Sequence, residues 1–155
     1  MNPMKITETT IPVDLDRYLA ANYVGDITST SSYVERGAVL VTPHSLTGLR
    51  TLRQALHAKI AALETGSRLR SRLDILALYL DETAAERATL SPAIRESAFA
   101  LLYFLKGFDR IPDSVPEIGL LDDALVVQVV FQRHEAALRG HWLRRRRSWQ
   151  MDSFA

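Results

Sequence analysis

Hydrophobic residues recur at helical spacing along most of the chain, and this pattern predicts an all-α protein. Between residues 42 and 66 a large aliphatic side chain returns every three or four positions, at Leu46, Leu49, Leu52, Leu56, Ile60 and Leu63. Such spacing places the apolar side chains on one face of an amphipathic helix. Thr42-Pro43 is a helix-start signal, because the hydroxyl can cap the first turn and proline is tolerated there. We therefore predict one helix that begins at Pro43 and ends at Gly66.

Two further helices follow with the same kind of start signal. Ser67 can cap a helix whose leucines form one stripe, and the acidic segment near Asp81 is expected to end it. Ser91-Pro92 repeats the pair of hydroxyl and proline, so a helix is predicted from Pro92 to about Lys106. A last helix is expected to begin between residues 120 and 123 and to reach about Arg147. Its first half is apolar nearly all round and should be buried, whereas its basic second half should leave the core.

The first 41 residues show a weaker pattern, which we interpret as an extended N-terminal arm with one short helix. Asp14 can cap a helix over Leu15 to Val24, which Gly25 would end. The polar segment 26–37 is predicted to be a loop, and the apolar run 37–41 to be a strand-like or extended segment. Residues 42–150 are then predicted to form the helical domain.

A segment rich in proline and aspartate separates the two most apolar helices. Phe108 to Gly119 contains Pro112 and Pro116, and each proline removes its own backbone donor and restricts the residue before it. The segment should therefore interrupt the helix and turn the chain back, which makes residues 98–127 a helical hairpin. The predicted fold is a small bundle of four to five helices with this hairpin and the N-terminal arm.

The hairpin carries a pattern with defined spacing: Tyr103-Phe104-Leu105, Asp109-x-Ile111-Pro112-Asp113, Pro116-x-x-Gly119 and Asp122-Asp123. This pattern resembles the core of the bacterial YkvA-like domain, a domain of unknown function, over Ala98 to Val127. The family has Ser-Pro at the position of Lys106-Gly107 and leucine at that of Arg110. The resemblance implies a small helical domain, found in proteins with membrane-associated or stress-related neighbours, with no agreed activity and no catalytic residue to transfer.

Four aspartates of the hairpin are the candidate metal ligands: Asp109, Asp113, Asp122 and Asp123. If the two helices pack antiparallel, these carboxylates converge and must be protonated, paired with a base or bridged by a cation. Oxygen ligands suit Mg²⁺, Mn²⁺ or Ca²⁺. The alternative is structural, because aspartates at helix starts favourably oppose the helix dipole. This alternative is favoured, since caps are common and cation sites are rare.

The C-terminal segment is strongly basic and contains both tryptophans. The candidate contacts to an anionic surface or to phosphate are Arg139, Arg144, Arg145, Arg146, Arg147, Trp142 and Trp149. This composition is typical of segments that bind an anionic membrane surface or nucleic-acid phosphates. The structural alternative is a helix end at which the arginines oppose the dipole and the tryptophans fold back onto the core.

No catalytic residue is assigned from the sequence. The four histidines, His44, His57, His134 and His141, form no close metal-binding pair, and Arg133-His134-Glu135 is expected to be solvated. The chain has no cysteine, which excludes thiol catalysis, thiolate zinc sites and disulfides.

Length and composition indicate a globular chain without strong overall charge. Its 155 residues are enough for one domain with its own core, and its net charge is +1. No apolar run is long enough to span a membrane, and the N-terminus does not resemble a signal peptide. We expect a cytoplasmic location or a peripheral one at the inner membrane.

These observations favour a non-enzymatic interaction or regulatory module with an unknown protein partner, with contact to an anionic membrane surface as part of that hypothesis. The first alternative is a divalent-metal-dependent, hydrolase-like enzyme that uses the aspartates, in which the metal would activate water or clamp a phosphate. The second is nucleic-acid binding by the basic tail.

Overall fold

A computed structural model describes residues 13–20, 27–84, 90–106 and 121–149. These residues form helices joined by turns, with no strand among them, so the all-α prediction is confirmed for the part of the chain that is described. The helices are α1 (Val13–Ala20), α2 (Ile27–Val39), α3 (Pro43–Thr51), α4 (Arg53–Ala61), α5 (Arg68–Ala84), α6 (Pro92–Lys106) and α7 (Leu121–Arg144). None of them is long and apolar enough to cross a membrane.

Helix α2 corrects two predictions. The segment 26–37 was predicted to be a loop and 37–41 to be strand-like, but Ile27–Val39 is helical. Its serine- and threonine-rich sequence has weak helix propensity, yet it contains a stripe that is buried at helical spacing: Thr30, Tyr33, Val34 and Ala38. Packing of that stripe against the other helices stabilises α2. Residues 27–39 thus share the core of the later helices, while a domain boundary at residue 41 stays a prediction.

The leucine-rich stretch after Thr42 forms two helices instead of the predicted one. Leu52 has φ −93° and ψ 13°, so it separates α3 from α4, and α4 ends at Ala61 before the predicted stop at Gly66. The predicted start is confirmed, since Thr42 Oγ1 accepts a hydrogen bond from the backbone N–H of Ser45 at 3.3 Å. Ser45 Oγ in turn accepts from the N–H of Thr42 at 3.1 Å, which completes a capping box. With α2, this break gives more helices than the four to five predicted.

The cap predictions at Ser67 and Ser91 are also confirmed, whereas Asp14 lies inside α1, which begins at Val13, and is therefore not the predicted cap of that helix. Ser67 Oγ accepts a hydrogen bond from the Arg70 N–H, and Ser91 Oγ from the Ile94 N–H, both at 3.2 Å. Helix α6 ends at Lys106 as predicted. Helix α5, by contrast, continues past Asp81 to Ala84.

Helix α6 lies at the centre of the core. Every residue from Glu96 to Phe104 is buried, so the helix is enclosed on all sides and α2, α5 and α7 pack around it. Near its C-terminal end the Lys59 ammonium donates a hydrogen bond to the Phe104 carbonyl at 2.6 Å and lies 4.8 Å from the centre of the Phe104 ring. This cation satisfies one of the carbonyls that a helix end leaves without a partner.

The basic second half of α7 does not leave the core as predicted. Leu138 and His141 are fully buried on its inner face, although its arginines are exposed. The helix also bends at His134, whose backbone is non-helical with φ −126° and ψ 22°. A charged sequence can therefore stay packed, because one apolar face is enough to hold a helix against the core.

Gly37 allows α2 to approach an aromatic cluster closely. The Tyr18 and Tyr33 rings stack at 4.9 Å, and the Phe99 ring meets Tyr33 edge-on at 5.5 Å. A Cβ atom added at Gly37 would lie 2.6 Å from Phe99 Cζ and 2.8 Å from Tyr18 Cε2. These distances are shorter than van der Waals contact, so the position requires glycine for reasons of space.

We predict that Gly37→Ala destabilises the protein by about 1–3 kcal/mol, because the added methyl group would push apart rings that are already packed. The free energy of unfolding in urea measures this effect. Gly140→Ala is the matched control in a helix, since its nearest neighbour is the flexible end of Arg144 at 3.2 Å. That change should be neutral or stabilising by up to about 1 kcal/mol. Equal effects of the two substitutions would contradict the role of Gly37.

Candidate functional site

A cleft of about 620 Å³ lies between α3–α4, α5 and one side of α6. Its interior is lined by aliphatic side chains, most of them buried: Leu46, Leu49, Leu56, Ala77, Leu80, Leu90, Ile94 and Leu101. The volume falls in the range of about 300–1,000 Å³ that is typical of sites for small molecules. The cleft is therefore the candidate functional site of the described residues.

The charged residues of the cleft and His57 lie at its mouth. Arg50, Arg53 and His57 are exposed and belong to α3 and α4. Asp81 lies opposite them on α5, and its Oδ2 is 3.3 Å from Arg53 Nη2. Since both side chains are partly solvated, this ion pair contributes at most about 1 kcal/mol to stability. It leaves Arg50 without any counter-charge among the described ion pairs, so the mouth is positive.

The heptad-like spacing of α3 and α4 explains this division between interior and mouth. Leu49, Leu52 and Leu56 follow one stripe, and the next residue after each of them is Arg50, Arg53 or His57 in turn. One stripe packs towards α5 and α6, and the neighbouring one reaches solvent. The sequence therefore predicts the amphipathic helix, but not that its edge borders a cleft.

The predicted aspartate site lies mostly outside the described residues. Asp109, Asp113 and the whole elbow are not described, and neither is the side chain of Asp122. Asp123 is buried in the first turn of α7, where a carboxylate is favoured by the helix dipole. Among the residues that are described, no group of three or more side chains could hold a metal ion. The convergence of the four aspartates stays a prediction.

The basic C-terminal segment is bound to α5 by ion pairs with Glu82. Arg147 donates hydrogen bonds from both terminal nitrogens to the Glu82 carboxylate, one of them at 2.9 Å. His141 Nε2 lies 2.8 Å from Glu82 Oε1, and Arg145 Nε lies 3.2 Å from the same oxygen. The hydrogen bond from Arg147 and the other basic groups outweigh burial and lower the pKa of Glu82 from 4.5 to about 2. This carboxylate is thus ionised at neutral pH and neutralises part of the basic segment.

The two tryptophans of the segment take part in the fold. Trp149 is buried and its ring lies 6.4 Å from that of Phe131, while Trp142 is half-buried under the guanidinium of Arg147 at 4.8 Å. Of the predicted contact residues, Arg139, Arg144 and Arg146 are exposed and form no described ion pair. Leu143, between them in the sequence, is 52% exposed, which is unusual for a large aliphatic residue.

A second ion network, centred on Glu96, was missed by the sequence analysis. Arg133 Nε and Nη2 donate to the two Glu96 oxygens at 2.8 and 2.9 Å, and His134 Nε2 lies 2.9 Å from Oε1. The prediction that Arg133-His134-Glu135 is solvated is therefore wrong for His134, which is largely buried. Burial acts to raise the pKa of Glu96, but the hydrogen bonds and charges of His134 and Arg133 outweigh it and lower the pKa.

The Glu96 network holds helices together and leaves little capacity for acid–base chemistry. Both oxygens of the carboxylate are already bound by Arg133, which also lies 3.7 Å from Glu35 and 3.5 Å from Ser31 on α2. A pair of this kind is costly to break and seldom free to exchange protons. The available signal in the sequence was a single carboxylate within the mostly apolar helix that contains Ile94, Ala98 and Phe99.

Comparison with known proteins finds one match to a family model, over a single segment of the chain. A family model with the description "Protein of unknown function (DUF1232)" matches residues 94–128, which is a minority of the chain. The match covers the segment 98–127, for which the sequence analysis predicts a hairpin. No curated protein and no solved structure matches the chain.

We predict that Glu82→Gln lowers the melting temperature by several degrees at pH 7 and by much less near pH 2. A carboxylate whose folded pKa is depressed contributes stability above its ordinary pKa of 4.5 and loses it as pH falls through about 2. Melting curves at pH 7, 4 and 2.5 measure the difference. Glu64→Gln, at an exposed position, is the control and should change little at any pH. A Glu82→Gln effect that is the same at all three values would contradict the assignment.

Proposed function

We propose that this chain is a non-enzymatic interaction or regulatory module that binds an apolar partner in the cleft between α3–α4 and α5. The observation that carries the proposal is the combination of a largely aliphatic, buried interior with charged groups confined to the mouth. Sites that bind small apolar ligands usually combine such an interior with a few polar groups that fix orientation. The cleft also draws its lining from three separate elements, so a ligand would contact α3–α4, α5 and α6 together.

Such binding offers a physical basis for regulation. A ligand that contacts three elements stabilises their relative arrangement, because it binds the folded form only. Since Arg53 and Asp81 already connect α4 with α5 across the mouth, a ligand at that position would replace or strengthen this link. The YkvA-like identity of the hairpin and a cytoplasmic or peripheral location belong to the same proposal. The resemblance over 98–127 supports the first, and the absence of a spanning helix among those described is compatible with the second.

A second candidate function is contact with an anionic membrane surface by the end of α7. Leu143 is exposed in a basic surround formed by Arg139, Arg144 and Arg146. An apolar side chain that can enter the headgroup region, beside arginines that attract anionic lipids, is the arrangement expected of an interfacial helix. Arg147 and Trp149 already form contacts within the fold. The proposed membrane contact therefore includes fewer residues than the whole basic segment.

The two alternatives from the sequence stay open as proposals. A metal-dependent hydrolase requires Asp109, Asp113, Asp122 and Asp123 to converge, and only the buried position of Asp123 has been described. Nucleic-acid binding by the basic tail requires affinity that falls steeply with salt concentration. The exposed arginines of α7 are common to that alternative and to the membrane proposal.

We predict that decanol binds in the cleft and that Leu46→Gln weakens this binding by about five- to tenfold, because a polar group replaces half-buried apolar surface. Titration of ¹⁵N-labelled protein, followed by amide chemical shifts, measures both the site and the affinity. The largest shifts should fall on Leu49, Leu56 and Leu80, which line the interior.

Leu69→Gln provides the matched control for this prediction, since Leu69 is also half-buried on a helix but does not line the cleft. It should leave the affinity for decanol unchanged. Shifts scattered over the whole surface, or equal losses in the two variants, would show that the cleft is not a binding site.

We predict for the second candidate that the protein sediments with vesicles rich in phosphatidylglycerol and not with neutral vesicles. The triple substitution Arg139→Gln, Arg144→Gln and Leu143→Gln should reduce binding at least about tenfold, since each arginine near an anionic surface contributes about 1 kcal/mol. Point substitutions are preferable to truncation after Gly140, because truncation would also remove Arg147 and Trp149 from the fold.

The control pairs Arg36→Gln with Val39→Gln, which removes an exposed arginine and an exposed aliphatic side chain from α2. It should bind the anionic vesicles as the unchanged protein does. If the α7 variant keeps its full affinity, the end of α7 is not the membrane contact.

A further inference from the structure

We propose that the ligand of the cleft is a single-chain carboxylate, that is, a fatty acid, with its alkyl chain among the leucines and its carboxylate at Arg50 and Arg53. This inference rests on the proposed function, because it names the ligand class of the same cleft. Three features of the cleft favour such a ligand: its interior, its mouth and the position of Asp81.

The interior favours an alkyl chain over a polar ligand. The buried hydroxyl of Thr83 already donates a hydrogen bond to the Tyr79 carbonyl at 2.7 Å, and the exposed hydroxyl of Thr47 donates to the Pro43 carbonyl at 3.2 Å. The remaining interior side chains are aliphatic. A polar group placed among them would lose its hydration without gaining a donor, which is costly, whereas a methylene chain gains free energy there.

The mouth favours an anion with the geometry of a carboxylate. Arg50 and Arg53 are three residues apart at the edge of the leucine stripe, and both line the cleft. A guanidinium can donate two parallel hydrogen bonds to one carboxylate, which gives direction as well as attraction. Arg50 is exposed and has no described ion-pair partner, so a ligand does not need to displace an existing contact to reach it.

Asp81 supplies the third feature, because it already places a carboxylate at this mouth. Its Oδ2 lies 3.3 Å from Arg53 Nη2, and both residues line the cleft. The pair shows that a carboxylate can reach Arg53 in this position. It also makes Asp81 a competitor of the proposed ligand, since one guanidinium would be shared between two anions. Removal of Asp81 should therefore increase the affinity for a fatty acid, which an apolar site without charge recognition would not show.

Calorimetry at pH 7.5 with decanol, decanoate and dodecanoate, each below its aggregation concentration, tests the proposal. Decanoate should bind about tenfold more tightly than decanol. Each added methylene should increase the affinity about fourfold until the cleft is filled. The double substitution Arg50→Gln and Arg53→Gln should reduce the affinity for decanoate to that for decanol, without changing the affinity for decanol.

The substitution Asp81→Asn should raise the affinity for decanoate about threefold and leave decanol unaffected, because only the anion competes for Arg53. Arg36→Gln is the matched control, since it removes an exposed arginine from α2, away from the cleft. All variants change exposed or partly exposed side chains, and measurement of their melting temperatures checks that they are folded.

The outcomes separate this inference from the proposed function. If decanol binds in the cleft but decanoate binds no more tightly, or if the arginine variant keeps its preference for decanoate, the fatty-acid assignment is overturned and the apolar site stands. If neither compound binds, both proposals are overturned. Two further results would assign the cleft to another occupant and overturn the fatty-acid assignment. One is a dimer in sedimentation that Leu46→Gln dissociates. The other is that only an acidic helical peptide displaces decanoate.

Discussion

The structure depends on how a carboxylate is accommodated in its most buried helix. Glu96 belongs to a run of residues in α6 that is buried on every side, and an unpaired charge there would cost several kcal/mol. Arg133 removes this cost by binding both oxygens of Glu96, and it also lies near Glu35 and Ser31 of α2. The position of α7 against α6 and α2 is therefore fixed by charge as well as by apolar packing. A shift of α7 along α6 would separate Arg133 from Glu96. Apolar contacts alone would oppose such a shift less strongly.

Helix α5 connects the two regions to which we assign functions. Asp81 and Glu82 are adjacent in the chain, but successive residues of a helix are about 100° apart, so they face different neighbours. Asp81 is paired with Arg53 at the mouth of the cleft, and Glu82 with Arg147 in the basic C-terminal segment. A change at the mouth that moves this end of α5 would also act on the contacts of the C-terminal segment. The fold thus contains a direct physical route between the cleft and the end of α7.

The features that the sequence predicted are those determined by neighbouring residues. The caps at Thr42, Ser67 and Ser91 could be identified because each depends on a hydroxyl and a backbone N–H three residues later. Helix α2 could not, since its polar sequence becomes helical through burial against α6 and α7. The cleft and the Glu96 network also escaped the sequence analysis, because they join helices distant in the chain. In the sequence, Arg50 and Arg53 do not differ from arginines on any solvated helix face.

The segment matched by the family model contributes only part of the candidate site. Residues 94–128 supply Ile94 and Leu101 to the interior of the cleft and provide Glu96 for the central ion network. The charged mouth comes from α3, α4 and α5, which lie before that segment. Aliphatic side chains recognise apolar surface with little discrimination, whereas charged groups distinguish one ligand class from another. The matched segment therefore contributes to the apolar interior of the cleft. The choice of ligand would be determined by the helices that precede this segment. Proteins that share this segment would then share its packing without sharing the ligand that we propose here.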